Sequence, residues 1–205
     1  MSQLKFPQGF FRMEPHSAWG GDYERIAVHG WVEGMAKGKL PLSLFRTGPF
    51  VPEVTVPNGA IIVTERAKGI LAGVFPMLQF RLVVKKRIVR SDWPGLIIKG
   101  KPWPDELLEG EPESQILGSE HSDAVAKEMP PLWQLILEVG ADVEVIEKDK
   151  YEFDLRLKRR TWTGTDLFNV CVRGGSMVPL VTGQAKTAIE ELSGQWLEFA
   201  EVATC

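Results

Sequence analysis

A short pattern occurs once in each half of this chain, and it limits the folds that the chain can adopt. Val63-Thr64-x-x-Ala67-Lys68 is matched by Val181-Thr182-x-x-Ala185-Lys186. In both copies an apolar run precedes the threonine, which is typical of a buried strand, and apolar residues follow it at helical spacing. A threonine at such a junction can accept a hydrogen bond from an N–H group of the first helical turn. Each copy therefore predicts a strand that leads directly into a capped helix.

A second extended segment follows each predicted helix. Apolar residues occupy alternate positions from Leu78 to Val84, and Gly194 is followed by the extended run 195–199. Residues 59–90 and 178–203 are thus predicted to be two copies of a strand-helix-strand unit. Two copies are too few for a solenoid. We therefore expect pseudo-symmetry inside a single α+β domain that spans residues 1–205.

Other patterns add strands and one helix. Residues 143–145 and 151–157 alternate between apolar and charged side chains, which predicts an antiparallel hairpin with one solvated face. Over residues 132–139 the apolar side chains fall at the first, fourth, fifth and eighth positions, which predicts a short amphipathic helix. Residues 25–29 are predicted to form a strand. The expected fold class is α+β, a mainly antiparallel sheet with a few short helices.

Charge is distributed unevenly along the chain. The net charge is −3, but residues 105–128 contain eight acidic residues and one basic residue, so that this segment carries −7 and the remainder +4. We interpret residues 94–127 as an acidic insertion or linker between the two units. Such a segment is either a solvated loop or a negative surface that steers and holds a basic partner. The residues predicted to contact a partner are Trp103, Asp105, Glu106, Glu109, Glu111 and Glu113.

The sequence contains only weak signals for a catalytic site or a metal site. The three histidines are scattered, and the chain contains no H-E-x-x-H or C-x-x-C spacing. We expect no catalytic residues, no metal and no cofactor, and we therefore expect that the protein is not an enzyme. The alternative is a small enzyme with a site centred on Cys171. Basic runs at 85–87 and 158–160 could form a nucleic-acid surface, but we expect them to be solvated strand ends because the chain is acidic overall, with a pI of about 5.7.

Membrane insertion and secretion are not expected. The longest apolar stretch, Gly69 to Leu78, contains Pro76 and is far shorter than the roughly 20 residues that a membrane helix needs. The segment 1–21 has charges and prolines where a signal peptide needs an apolar core. Two cysteines give no disulfide framework. We expect a cytoplasmic protein.

Several phrases resemble the immunity proteins of bacterial polymorphic toxin systems, and in particular the group whose members carry two V-S/T-x-x-A-K … G-x-W/F units. These phrases are Arg46–Pro52, Ile62–Lys68, Val84–Val89 with Asp92-Trp93, Asp166–Phe168, and Val181–Thr182 to Trp196–Phe199. The resemblance implies a cytoplasmic protein that binds and neutralises one cognate toxin, and it implies no catalytic residues. Together with the acidic segment, it predicts a toxin that is basic where it is contacted.

Overall fold

A computed structural model describes residues 7–16, 26–34, 41–91, 116–148 and 153–205. The α-helices that lie entirely within the described residues are α1 (Glu65–Val74), α2 (Asp123–Glu128) and α3 (Gly183–Ser193). The strands are β1 (Phe10–Pro15), β2 (Trp31–Glu33), β3 (Ser43–Gly48), β4 (Val54–Thr55), β5 (Ile62–Thr64), β6 (Gln79–Leu82), β7 (Val84–Arg90), β8 (Leu132–Ile136), β9 (Val143–Glu147), β10 (Phe153–Leu157), β11 (Leu167–Cys171), β12 (Met177–Thr182) and β13 (Leu197–Thr204). The fold is α+β, with mostly antiparallel sheets and few short helices, as the sequence predicts.

The two halves of the chain build sheets of the same strand order. The second sheet has the order β11-β12-β1-β13-β10-β9. The first half forms a four-stranded sheet, β4-β5-β8-β6, and a three-stranded sheet, β2-β3-β7. The two are connected where β6 continues through Val83 into β7, and together we call them the first sheet. Each sheet ends in an antiparallel hairpin. In the first sheet this is β2–β3, and β3 pairs in parallel with β7, the continuation of β6. In the second sheet it is β9–β10, and β10 pairs in parallel with β13. The duplication therefore extends well upstream of the units seen in the sequence.

Each repeat contributes its first strand to the sheet of the other repeat. β1 precedes all other strands of the first repeat, yet it pairs with β12 and β13 of the second sheet. β8, the corresponding strand of the second repeat, pairs with β5 and β6 of the first sheet. Because the strand after α1 or α3 pairs with this exchanged strand, neither sheet is complete without a segment from the other repeat.

Both long helices are buried in one shared core. Ala67 and Leu71 of α1, and Ala185 and Ile189 of α3, are fully buried in the same hydrophobic cluster. Burial of an apolar side chain stabilises the folded state by about 1.5 to 3 kcal/mol for residues of the size of leucine. This core joins the two repeats, in addition to the exchanged strands. None of the described helices is long and apolar enough to cross a membrane.

Two expectations about local structure are wrong. Residues 132–136 form β8 and not a helix, because this strand lies between β5 and β6 and contributes to two hydrophobic clusters, Leu132 to one and Leu135 to the other. Apolar residues on both faces of a strand imitate helical spacing. Residues 26–29 are helical and not extended, and the bond from Gly30 N to Ile26 O, 2.8 Å, closes the turn.

The end of the predicted insertion packs against the first sheet. Within residues 116–127, Ile116 and Val125 are fully buried, and Ser122 caps α2 by accepting from Val125 N at 3.3 Å. Val125 and Met129 lie in the hydrophobic cluster on the face of the first sheet opposite to α1. This part of the segment is therefore not a solvated loop.

Candidate partner-binding groove

The six residues predicted to contact a partner lie between positions 103 and 113, outside the described residues. Their contacts are therefore not assigned. The candidate site among the described residues is a different surface, and it begins at the end of α1.

The threonine at each strand-to-helix junction forms the same three bonds. Thr64 Oγ1 accepts from Ala67 N at 3.2 Å, its hydroxyl donates to the carboxylate of Glu53, and its N–H donates to Glu53 O at 3.0 Å. Thr182 repeats this arrangement with Ala185 N and with Asp166, whose Oδ1 accepts the hydroxyl at 2.6 Å. The predicted caps are confirmed. The acidic partner of each threonine is a feature that the sequence pattern did not indicate.

A groove of about 430 Å³ opens beside Asp166, between the end of α1 and the second repeat. Its walls are the end of α1 with the following turn, the end of β8, and the loop 163–166 that leads into β11. We call it the α1 groove. Most of its lining is apolar: Val74, Phe75, Pro76, Met77, Leu78, Ile136, Val139 and Leu167 line it together with Gln79, Glu138, Thr163, Gly164, Thr165 and Asp166.

The loop wall of the α1 groove is held in place by hydrogen bonds. Trp162 Nε1 donates to Thr165 O at 3.0 Å, and Thr163 N donates to Gly140 O at 2.9 Å. Gly140 also packs closely against Phe168, since a Cβ atom at that position would lie 2.5 Å from Cβ of Phe168. The groove is thus largely preformed, as is usual for ligand and partner sites.

Apolar side chains are exposed around the α1 groove. Met77 is 88% exposed, Val139 49%, Val74 45%, and Ile70, one turn earlier on the same helix, 41%. We call these four residues the apolar patch. Contiguous exposed apolar surface at a groove commonly marks an interaction site. The sequence signal for it was the uncharged run 69–78. Sequence analysis interpreted Ile70, Leu71 and Val74 in this run as the apolar stripe of the helix, but only Leu71 of these three is buried.

The second repeat provides an internal comparison. At the positions of Ile70 and Val74, α3 has Ala188 and Leu192, both only partly exposed and packed against the shared core. The turn after α3 has Trp196 where Met77 lies, and the Trp196 ring is 6.0 Å from that of Phe50. The scaffold can therefore cover these positions, and the exposure around α1 is not a requirement of the fold.

Negative charge borders the α1 groove. Glu138 and Asp166 are its charged lining residues, and no described lysine, arginine or histidine lines it. α1 has no basic residue in its last turn. The C-terminal end of a helix carries a partial negative charge of about half an elementary charge. The charged groups that line this apolar surface are therefore negative.

The first basic run, by contrast, is largely engaged within the protein. Lys85 Nζ donates to Ala126 O at 2.7 Å and to Met129 O at 2.8 Å, Arg87 donates to Leu117 O, and Arg90 pairs with Glu128 at 2.8 Å. These residues anchor the end of the insertion to β7. Their use in this contact is an argument against a nucleic-acid surface at this run.

The histidines and cysteines do not converge in the part of the chain that is described. His29 Nδ1 accepts from Val56 N at 3.2 Å, His121 Nδ1 accepts from Ile88 N at 3.0 Å, and His16 pairs with Glu198. Cys171 is exposed and its thiol lies 3.7 Å from Val172 O. No group of three or more His, Cys, Asp or Glu residues that could hold a metal occurs among the described residues. Comparison of the sequence with family models and with curated proteins gives no match.

Proposed function

We propose that this protein is an immunity protein that binds and neutralises a cognate toxin in the cytoplasm, and that the α1 groove with its apolar patch is part of the toxin-binding surface. The observation that carries this proposal is the greater exposure of apolar side chains around α1 than around α3. Ile70, Val74 and Met77 are solvent-exposed where the corresponding side chains of the second repeat are only partly exposed. A surface that the fold does not need to expose is best explained by a partner that covers it.

Burial of apolar side chains would stabilise a complex formed at this surface. A methionine that passes from 88% exposure to a covered state gains roughly 1.5 to 3 kcal/mol. Flexible methionines adapt well to a partner surface. Val74 and Val139 flank Met77 and add to the same apolar area. Met77 is therefore the expected anchor residue of the interface.

The acidic segment supports the same proposal by a different route. Complementary charge raises the rate of association more than it slows dissociation. Residues 105–113 carry five carboxylates and no basic side chain. We propose that these carboxylates accelerate the encounter with a basic toxin, and that the apolar patch then holds it.

Co-expression tests the proposal. The product of the neighbouring open reading frame is expressed in a bacterial host with the wild-type chain or with Met77→Arg. We expect the wild-type chain to restore growth and Met77→Arg to lose most of this protection. Gln195→Arg is the matched control, because it places the same charge in the exposed turn after α3. Equal protection by both variants would exclude the α1 groove as the interface, and failure of the wild-type chain to protect would overturn the proposed function.

A further inference from the structure

The α1 groove combines an apolar lining with negatively charged groups. A surface that binds only apolar groups does not need these charges. Glu138, Asp166 and the C-terminal end of α1 all contribute negative charge, while Val74, Met77 and Leu167 contribute apolar contact area. This combination favours a ligand that is apolar and cationic at once. Our inference rests on the proposed function and specifies the part of the partner that enters the groove.

Glu138 provides a negative charge that no described residue pairs with. Its side chain is exposed just after β8, and it forms no ion pair with a described residue. A cation that binds here therefore does not have to displace a partner from the described part of the chain. An exposed ion pair contributes about 0.2 to 1 kcal/mol, which corresponds to at most about a fivefold change in affinity.

Asp166 provides a second charge in a fixed position. Its Oδ1 accepts the hydroxyl of Thr182 at 2.6 Å, and its backbone carbonyl accepts Thr182 N at 2.9 Å. A neutral hydroxyl orients the carboxylate and leaves its charge in place. This carboxylate is therefore held in a fixed position beside the groove that Asp166 lines, and a fixed position lowers the cost of binding a cation.

We propose that the α1 groove receives a lysine or arginine side chain of the toxin together with a neighbouring apolar side chain. The cationic group binds at the carboxylates of Glu138 and Asp166, and the aliphatic portion packs against Val74 and Met77. Long basic side chains suit this arrangement because their methylene stems are apolar while their ends are charged. The groove volume of about 430 Å³ is sufficient for one basic side chain and one apolar side chain.

Alkyl ions test this chemistry without the toxin. The full chain, labelled with ¹⁵N, is titrated with n-hexylammonium and separately with n-heptanoate, which share the same hexyl chain but differ in charge. We expect hexylammonium to shift the amide signals of 74–79, apart from Pro76, and of 163–167, with saturation in the millimolar range, which is typical of small fragments. Heptanoate should bind several-fold more weakly. Equal or tighter binding of heptanoate, shifts confined to other residues, or no binding of either ion would overturn the inference.

A variant that removes one charge tests whether Glu138 causes the preference for the cation over the anion. Glu138→Gln should weaken hexylammonium binding about threefold, since one exposed ion pair is lost, and should leave heptanoate binding unchanged or slightly improved. Glu191→Gln is the control, because Glu191 is exposed on α3 and does not line the α1 groove. An equal effect of both variants would assign the selectivity to the overall charge of the protein and contradict a role for Glu138.

The two proposals can fail separately. If hexylammonium binds selectively but Met77→Arg still protects cells, the chemistry of the groove stands and its role in toxin binding is wrong. If Met77→Arg abolishes protection but neither alkyl ion binds, the groove is the interface and the inferred cationic ligand is wrong.

Discussion

Val74 and Leu192 occupy the same position in the two repeats but differ in their surroundings. Val74 is 45% exposed at the α1 groove, whereas Leu192 is only partly exposed and packs against the shared core. Because the two helices begin with the same capping arrangement and share one core, the difference arises from the residues around them and not from the fold. The duplicated scaffold thus presents an open apolar surface in one repeat and a covered one in the other.

Removal of either capping threonine should destabilise the protein to a similar extent. Thr64→Ala and Thr182→Ala each lose a helix cap and a hydrogen bond to a carboxylate, and we expect each to lower the free energy of unfolding by about 1 to 2 kcal/mol in urea denaturation. Thr64→Ser and Thr182→Ser keep the hydroxyl and lose one buried methyl group, so each should cost less than its alanine variant. Wild-type stability of either alanine variant would contradict the structural equivalence of the two junctions.

Arg46 should be essential for stability although no described carboxylate pairs with it. Its Nε donates to Thr47 O at 2.9 Å and its Nη2 to Val28 O at 2.9 Å, while full burial lowers its pKa to about 9. Nη1 lacks a hydrogen-bond partner among the described residues. Arg46→Lys retains a buried cation, but a single ammonium group cannot donate to the separate carbonyls that the planar guanidinium group reaches. The free energy of unfolding should therefore fall by about 2 to 4 kcal/mol.

A matched substitution makes the Arg46 prediction specific. Arg12→Lys changes a half-buried arginine on β1 and should cost less than about 1 kcal/mol. Denaturation curves that place Arg46→Lys within the range of Arg12→Lys would show that the buried fork contributes little.

Lys85 should make stability depend on pH at alkaline values. Its Nζ donates to Ala126 O and Met129 O, and partial burial lowers the pKa of its ammonium group below 10.5. Between the folded-state pKa and 10.5 the unfolded chain binds more protons than the folded one, so this residue's contribution to stability rises with pH. The difference in unfolding free energy between wild type and Lys85→Met should therefore increase from pH 8 towards pH 10.5. A constant or decreasing difference, measured by urea denaturation at each pH, would contradict this assignment.

The acidic segment should act on the rate of association. Replacement of Asp105, Glu106, Glu109, Glu111 and Glu113 by serine should slow binding to the toxin by tenfold or more, an effect in the range of electrostatic steering, and should flatten its dependence on salt. Dissociation should change less, because the apolar patch remains intact. Stopped-flow measurements at low and high salt check this, and unchanged association kinetics would exclude the segment from the encounter.

Much of the fold followed from local sequence, and the candidate site did not. The capped helices and the β9–β10 hairpin are specified by neighbouring residues, namely a threonine followed by a helical stripe or alternation along two strands. The exchange of β1 and β8 depends on pairing between distant strands, which no local pattern encodes. The helical spacing over 132–139 was misleading because β8 is covered on both faces.

The α1 groove was inaccessible to sequence analysis for a similar reason. Val74, Val139 and Asp166 come from three separate segments, and only the shared core and the exchanged β8 bring them together. Exposure of an apolar side chain depends on what its neighbours cover. The uncharged run 69–78 gave the composition of the surface but not its location.

The affinity of the protein for its toxin, measured by calorimetry for Met77→Arg beside Gln195→Arg, tests the central claim most directly. If the α1 groove holds the partner, Met77→Arg should weaken binding by roughly 10- to 100-fold, the equivalent of losing a buried methionine anchor, while Gln195→Arg should stay within about twofold of wild type. Both variants must first show wild-type unfolding curves. Equal affinities for the two variants would contradict the claim that the first repeat carries the binding surface.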